Sequence, residues 1–178
     1  MLRCLLPILV LALVGCSAPV EPVAEPDAGP RFSTTDVAWL QLADALHTRA
    51  LPLLALAPER AAERPLGELA ARLGRAHEAG RGRLRALLVR ARMTGENPHA
   101  QHDMPGMPTA EELEALKGSR GRGFDRRFTE LLRAYLDQLV LVADGERSSG
   151  GAAEVRELAD AMAREHAAER AELERIAA

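Results

Sequence analysis

The sequence predicts an all-α fold, a four-helix bundle built from a duplicated helical hairpin. Apolar residues make up 47% of the 178 residues but aromatic residues only 3%, so the core is expected to consist mainly of Leu, Ala and Val. A composition rich in Leu, Ala, Arg and Glu, with few β-branched residues, favours helix over strand. Apolar residues also recur at helical spacing, and the second half of the chain repeats the first.

The first predicted hairpin contains two long helices. The first helix runs from about Thr35 to Leu56, and Pro52 inside it predicts a kink or an early end because proline cannot donate the helical hydrogen bond. The second helix begins at Pro65, since proline suits the first helical position. Gly80 and Gly82 are expected to weaken it locally.

The second hairpin follows a polar break at residues 94–108. A short helix is predicted after Thr109, because Thr109 and Glu112 match a capping box. The glycines of residues 118–123 break the chain again. The third main helix is expected from about Asp125 to Ala143 and the fourth from about Ala152 to Ile176, joined by a turn at residues 148–151.

An internal repeat relates the two hairpins. Identical or similar residues recur at a constant spacing of 89 positions: Asp36 and Asp125, Trp39 and Phe128, Leu42 and Leu131, Leu69 and Leu158, His77 and His166, Arg81 and Arg170, Leu84 and Leu173. One ungapped shift relates both helices of each half. Each hairpin is therefore expected to bury its apolar stripe against the other, giving a bundle that is ferritin-like in general shape.

The first fifteen residues read as an export signal. Arg3 precedes an apolar run, Leu5 to Val14, that is too short to cross a bilayer as a helix. The following Leu13-Val14-Gly15-Cys16 resembles the lipobox of bacterial lipoproteins. The resemblance implies cleavage before Cys16, lipidation of its thiol and acylation of the new N-terminus, and two or more chains anchor a protein stably. The alternative is an ordinary secretory signal with a chance cysteine.

Residues 16–31 are predicted to be a linker between the lipidated Cys16 and a domain at residues 32–178. Four prolines make this stretch an extended, semi-rigid spacer. Ser17 after the cysteine, by resemblance to Gram-negative lipoproteins, permits transfer to the outer membrane. The predicted location is thus the bacterial cell envelope, lipid-anchored and, in a Gram-negative cell, facing the periplasm from the outer membrane.

The formal charge of −3 argues against nucleic acid as a partner, since the basic residues are scattered among acids. Both cysteines, Cys4 and Cys16, lie in the N-terminal segment, so the domain is expected to hold no disulfide. No nucleophile–base set, phosphate-binding loop or cysteine-based metal motif is evident. An enzyme is therefore the least expected class, and the expected partners are the membrane, a metal ion or another envelope protein.

The polar break carries the first candidate metal site. His99, His102, Met104 and Met107 lie within a short Pro/Gly-containing stretch, and imidazole and thioether groups suit copper, while imidazole also suits zinc. Methionines normally fill cores, so their place in a loop is unusual. The alternative is that Met104 and Met107 fold back to cap the end of the bundle.

Histidines on the predicted helices form a second set of candidates. His47 follows the apolar Leu46 on the first helix and reads either as a vestigial ligand or as a partly buried structural histidine. His77 and His166 hold equivalent places in the two hairpins and are expected to face each other. Glu169 follows His166 at i, i+3, which allows a ligand pair or a simple hydrogen bond.

Three features resemble the family known as domain of unknown function 305 (DUF305). They are the duplicated order of aspartate, aromatic residue and apolar helix, the loop at residues 102–107, and the pattern of the closing helix, Leu158-Ala159…Met162…Glu169…Leu173. The resemblance covers Phe32 to Ile176. It implies a small, exported four-helix protein of a family often linked to metals, particularly copper, with a mostly undefined role.

The sequence departs from that family at its histidine pairs. Typical members carry a His-His pair in the first helix and another in the third. Here the first pair reads Leu46-His47 and the second Tyr135-Leu136, so three of the four histidines are absent. Two hypotheses follow: an envelope lipoprotein that binds copper or another soft metal through the His/Met loop, or a non-enzymatic structural or protein-interaction bundle without the family metal site.

Overall fold

The computed structural model describes residues 32–178. The predicted signal peptide, the lipidated Cys16 and the linker lie outside the described residues and stay predictions. The described part contains helices α1 (Thr34–Arg60), α2 (Arg64–Arg90), α3 (Ala110–Lys117), α4 (Gly121–Ser149) and α5 (Ala153–Ala177). None of these helices is both long and apolar enough to cross a membrane.

The four long helices form two hairpins that pack on each other. Helix α1 lies along α2, α4 lies along α5, and the hairpins meet mainly through α1 and α4. The short α3 lies against these two helices. The prediction of an all-α bundle made of two hairpins is therefore confirmed.

Two hydrophobic clusters fill the bundle. The larger one includes Leu53, Leu69 and Phe128, and the smaller one includes Trp39 and Leu84. Leucine and alanine dominate both clusters, as the composition predicts. The apolar stripes of the helices thus face one another and leave most Arg and Glu side chains outside, with Arg81 and Glu146 as buried exceptions.

Helix α1 continues through Pro52 and Pro58 to Arg60, so it extends beyond the predicted end near Leu56, and of the two predicted alternatives at Pro52 the early end is wrong. A proline inside a helix removes one hydrogen bond and crowds the preceding turn, at a cost of about 3 kcal/mol. Leu53 and Leu54, directly after Pro52, are completely buried. Their packing against the other helices stabilises the last turns and offsets this cost.

Helix α4 is longer than predicted at both ends. It begins at Gly121, where Phe124 is fully buried, and it continues beyond Ala143 to Ser149. The predicted capping box of α3 is confirmed, because the Glu112 amide donates to Thr109 Oγ1 and the Thr109 amide donates to the Glu112 carboxylate.

Two aspartates at equivalent positions of the repeat link the two hairpins. The Asp36 carboxylate on α1 accepts hydrogen bonds from the amides of residues 151–152 at the start of α5, at 2.9 to 3.1 Å. The Asp125 carboxylate on α4 accepts from the amides of residues 62–63 at the start of α2, at 3.0 and 3.1 Å. Neither α2 nor α5 has a side-chain cap of its own. Each hairpin therefore caps the second helix of the other.

Candidate metal centre in the bundle core

A group of five polar side chains lies inside the bundle, and we call it the histidine cluster. Its members are His47 on α1, His77 on α2, Tyr135 on α4, and His166 and Glu169 on α5. The three histidines and the tyrosine are between 0% and 3% exposed. The ring centroids of the histidines lie 4.9 to 5.3 Å apart.

Helical periodicity explains why these histidines point inward. His77 lies four residues after the buried Leu73, and His166 lies four residues after the buried Met162, so both continue the apolar stripes of their helices. His47 follows Leu46 and is itself completely buried. The expectation that His77 and His166 face each other agrees with their ring separation of 5.2 Å.

One chain of hydrogen bonds joins all five members of the cluster. The Tyr135 hydroxyl lies 2.6 Å from Nδ1 of His47 and 2.9 Å from Nδ1 of His77. The other ring nitrogen of His77 lies 2.9 Å from Oε2 of Glu169. The same carboxylate oxygen lies 2.9 Å from Nδ1 of His166.

Burial and hydrogen bonding set the charges of the cluster. Burial by itself would raise the pKa of Glu169, but the hydrogen bonds from His166 and His77 lower that pKa to about 2, so the group is a carboxylate. Burial is the largest cause that holds the pKa of His47 well below its usual value. Burial and the charge of Glu169 raise the pKa of Tyr135 well above its usual value, so the phenol stays protonated.

The cluster contains the atoms needed to hold a metal ion. One ligand atom each from His77, His166 and Glu169 can be chosen so that all three lie within 4.8 Å of one another. Nε2 of His47 and Nε2 of His166 are buried and have no hydrogen-bond partner within residues 32–178. Buried polar atoms are rarely left unpaired in proteins, so these two nitrogens require an explanation. Neutral imidazole nitrogens are good ligands for copper and zinc.

The loop candidates occupy two different environments. His99 is partly exposed, His102 is exposed, and their ring centroids lie 6.4 Å apart. Met107 is buried in the larger hydrophobic cluster, and Met104 packs against that cluster. The fifth candidate, His47, lies in the histidine cluster and not with the loop.

The loop itself is fixed to the bundle. Gly106 adopts a φ of +79°, and a Cβ at this position would lie 2.4 Å from the Cβ of Gln138 on α4. The Asp103 carboxylate accepts a hydrogen bond from Arg49 on α1 at 2.7 Å. These contacts hold the loop against the bundle while its histidines remain on the outer side.

Of the five cluster members, only His47 was among the metal ligands predicted from the sequence. His166 and Glu169 were predicted as either a ligand pair or a hydrogen bond, His77 only to face His166, and Tyr135 had no predicted role as a ligand. Tyr135 lies where the family resemblance places the second histidine pair, and its neighbour Leu136 is completely buried. The signal that could have identified the site is the 89-residue repeat, because it places His77 and His166 opposite each other. The repeat does not reveal that Tyr135 connects them to His47.

A second group of buried ionisable side chains, a pair of acidic residues, lies where α1 meets the turn between α4 and α5. Asp36 is completely buried, and Glu146 is 1% exposed. Burial and the adjacent Asp36 carboxyl raise the pKa of Glu146 to about 8. Burial works against ionisation of Asp36, but the neighbouring Glu146 carboxyl and the hydrogen bonds from Ser33 and Ala152 outweigh it and lower the pKa of Asp36. This pair therefore carries a single negative charge near neutral pH.

Comparison with known proteins identifies the fold. The chain is similar to the crystal structure of a DUF305 protein from Streptomyces coelicolor, with 18% sequence identity, a TM-score of 0.69, and coverage of 78% of this chain and 88% of that one. It is also similar to the crystal structure of a DUF305 fragment from Deinococcus radiodurans, with 21% identity, a TM-score of 0.72, and coverage of 83% and 97%. No curated protein matches the chain in sequence.

The sequence profile described as domain of unknown function (DUF305) matches residues 36–177, which is almost the whole of the described bundle. The two similar crystal structures have the same fold as this chain, in agreement with the profile match. The chain belongs to the DUF305 family.

Proposed function

We propose that this protein is a lipid-anchored component of the bacterial cell envelope that binds a soft metal ion, copper in the first place, inside its helical bundle. The observation that carries the proposal is the histidine cluster, in which three imidazoles from three helices converge in the core. Two of their nitrogen atoms have no hydrogen-bond partner in the described bundle. The proposed role is binding, with no catalytic step.

The histidine cluster is a better candidate site than the His/Met loop. The cluster is assembled by long helices, and its rings are held by hydrogen bonds that fix their orientation. The loop presents His99 and His102 toward the outside while Met107 fills the core. A site in the loop would first require Met107 to leave that packing, which costs the free energy of burying its side chain.

The proposed anchor places this site at a membrane surface. Lipid on Cys16 and the proline-rich linker at residues 16–31 would hold the bundle a short distance from the bilayer. A test of the anchor compares the wild type with Cys16→Ser in cells fed labelled fatty acid. We expect label in the wild type only. Label in Cys16→Ser would refute lipidation at this residue.

A structural or protein-interaction role is the second candidate. The observation in its favour is that Tyr135 and Glu169 already form hydrogen bonds with all three histidines. Such a network can specify the packing of a bundle without any ion. The two roles differ in one measurable property, the saturable binding of a metal.

The test is a metal titration of the full-length protein, purified in detergent. Cu(I), Cu(II) and Zn(II) are each added under equilibrium dialysis against a competing chelator. We expect one copper ion per chain for the wild type and for His99→Gln/His102→Gln, but none for His47→Gln/His166→Gln. Absence of saturable binding in the wild type would refute the metal proposal and favour the structural role. Loss of binding in the loop variant alone would move the site to the loop.

A further inference from the structure

We propose that the ion is Cu(I) and that its ligands are Nε2 of His47 and Nε2 of His166, with Tyr135 and Glu169 as positioning residues. This inference rests on the proposed function and adds which atoms bind and which oxidation state they select. It follows from the placement of protons along the hydrogen-bond chain and from the groups that surround the two nitrogens.

The carboxylate of Glu169 determines which ring nitrogens of His77 and His166 carry protons, at one end of the chain of hydrogen bonds. Its Oε2 atom lies at hydrogen-bond distance from one nitrogen of His77 and one of His166, and a carboxylate oxygen can only accept. Nε2 of His77 and Nδ1 of His166 therefore each carry a proton. In neutral His166 this leaves Nε2 as a bare lone pair.

The hydroxyl of Tyr135 determines which ring nitrogen of His47 carries a proton. A His77 ring that carries one proton, on Nε2, accepts the single hydrogen of the Tyr135 hydroxyl at Nδ1. The Tyr135 oxygen must then accept from the Nδ1–H of His47, which lies 2.6 Å away. Nε2 of His47 is left as the second bare lone pair. These proton positions are assigned from the hydrogen-bond pattern.

The two lone pairs assigned in this way belong to the two histidine nitrogens of the described bundle that are buried without a partner. The rings of His47 and His166 lie 5.3 Å apart between centroids. An ion bound about 2 Å from each Nε2 allows a separation of the centroids of at most about 6.5 Å. The observed spacing therefore fits one ion in a bent bridge between the two rings.

A thioether side chain and a glycine of α2 lie beside Nε2 of His47. A Cβ built on Gly80 would lie 3.8 Å from Nε2 of His47, 3.8 Å from Nη2 of Arg83 and 3.5 Å from the terminal methyl group of Met162. Met162 is almost completely buried. The surroundings of Nε2 of His47 thus include a thioether side chain and a position where α2 carries no side chain.

This environment selects Cu(I) over divalent ions. Two neutral imidazoles and a neighbouring thioether are soft ligands, whereas Zn(II) normally takes four ligands and Cu(II) favours tetragonal nitrogen and oxygen sets. Glu169, the carboxylate of the histidine cluster, already accepts hydrogen bonds from two ring N–H groups. A monovalent ion also costs less to bury than a divalent one. The Glu169 carboxylate contacts the ligand ring of His166 and not the ion itself, and from there its negative charge balances the single positive charge of the ion.

The other possible ligand set consists of His77, His166 and Glu169. An ion at that set would have to displace both ring protons that now bind the carboxylate. It would also leave Nε2 of His47 unexplained. The arrangement of protons in the metal-free protein therefore distinguishes the two sets before any ion is added.

The first experiment measures histidine tautomers in the metal-free, full-length protein by long-range 15N–1H NMR correlation. We expect protonated Nδ1 on His47 and His166 and protonated Nε2 on His77. In Tyr135→Phe, His47 should lose its preference for one tautomer, an effect that a merely structural role of the hydroxyl would not produce. Protonated Nε2 on His47 in the wild type would overturn the inference.

The second experiment measures Cu(I) affinity by competition with a chromophoric Cu(I) chelator under anaerobic conditions. We expect His47→Gln and His166→Gln each to weaken binding by at least about 100-fold, and Tyr135→Phe by about 10-fold. The matched control is His77→Gln, which removes a cluster histidine that is not a ligand, and it should weaken binding by no more than about 10-fold. Helicity by circular dichroism checks that each variant is folded.

The outcomes separate this inference from the proposed function. Absence of Cu(I), Cu(II) and Zn(II) binding in the folded wild type would overturn both. Copper binding that survives His47→Gln but is lost in His77→Gln would keep the proposed function and overturn the inference in favour of the other set. X-ray absorption of the Cu(I) wild type provides a readout without mutation. A coordination shell of two nitrogens, with or without one sulfur, supports the inference, and oxygen ligands contradict it.

Discussion

The two hairpins share one backbone plan but contribute unequally to the histidine cluster. His77 and His166 occupy matching positions of the 89-residue repeat, yet the residue three positions further is Gly80 in one hairpin and Glu169 in the other. The single carboxylate serves both histidines, and the glycine lies beside Nε2 of His47. The difference shows how substitutions at a few positions can turn a symmetric frame into a site with a carboxylate on one side and a glycine on the other.

The two helix caps that join the hairpins, made by Asp36 and by Asp125, also differ between the two halves of the repeat. Asp36 is completely buried beside Glu146, whereas Asp125 is partly exposed, and the position that matches Glu146 in the repeat is occupied by Ala57. Both aspartates accept hydrogen bonds from two backbone amides of the opposite hairpin. Only the Asp36 joint adds a second ionisable group, so the two joints should respond differently to substitution and to pH.

The largest expected effect comes from removing these caps. Asp36→Ala deletes a buried acceptor and leaves backbone amides of α5 unpaired, so we expect a loss of about 3 kcal/mol in the free energy of unfolding. Asp125→Ala removes an acceptor that water can partly replace, with an expected loss of about 1 kcal/mol. Urea unfolding followed by circular dichroism measures both. Equal losses would show that burial does not distinguish the two joints.

Removal of the Tyr135 hydroxyl should have the next largest effect on stability. Tyr135→Phe leaves Nδ1 of His47 and Nδ1 of His77 unpaired in the core, and we expect a loss of about 2 kcal/mol. The comparison variant is Phe128→Leu, which changes packing on the same helix without touching a polar group. A loss in Tyr135→Phe with an unchanged histidine tautomer pattern would contradict the chain of protons described above.

The pH dependence of stability should report on Glu146. Its pKa is raised to about 8 in the folded protein, against an ordinary value near 4.5. Its contribution is thus fully present below about pH 4.5 and is lost as the pH rises to about 8, because the unfolded chain ionises first. Glu146→Gln does not ionise and should be more stable than the wild type by about 1–2 kcal/mol at pH 9, with little difference at pH 4. Thermal unfolding at the two pH values measures this difference, and equal curves at pH 9 would contradict it.

The smallest expected effect compares two glycines of α2. Gly82→Ala adds a methyl group where nothing lies within 4 Å and should stabilise the helix by up to about 1 kcal/mol without changing Cu(I) affinity. Gly80→Ala should also be tolerated by the fold, but its methyl group would occupy the space beside Nε2 of His47. We therefore expect weaker Cu(I) binding in Gly80→Ala only. Equal affinities of the two variants would show that this space is not part of the site.

The sequence allowed the fold to be predicted because helical periodicity and the repeat are local or regular signals. The predicted ends of the helices were less accurate where packing overrides local preference. At Pro52, for example, the buried residues beyond the proline keep α1 helical. For the candidate site, the repeat indicated that His77 faces His166. The role of Tyr135 could not be predicted, because its contacts with His47 and His77 depend on the relative rotation of three helices.

The reciprocal caps made by Asp36 and Asp125 have a consequence for the integrity of the chain. A cut within residues 94–98 would separate the protein into two pieces, and each piece would carry the aspartate that the helix start of the other requires. Neither piece alone can complete its second helix or bury its apolar face. The pieces should consequently reassociate into the native bundle, and a single hairpin expressed alone should pair with a copy of itself.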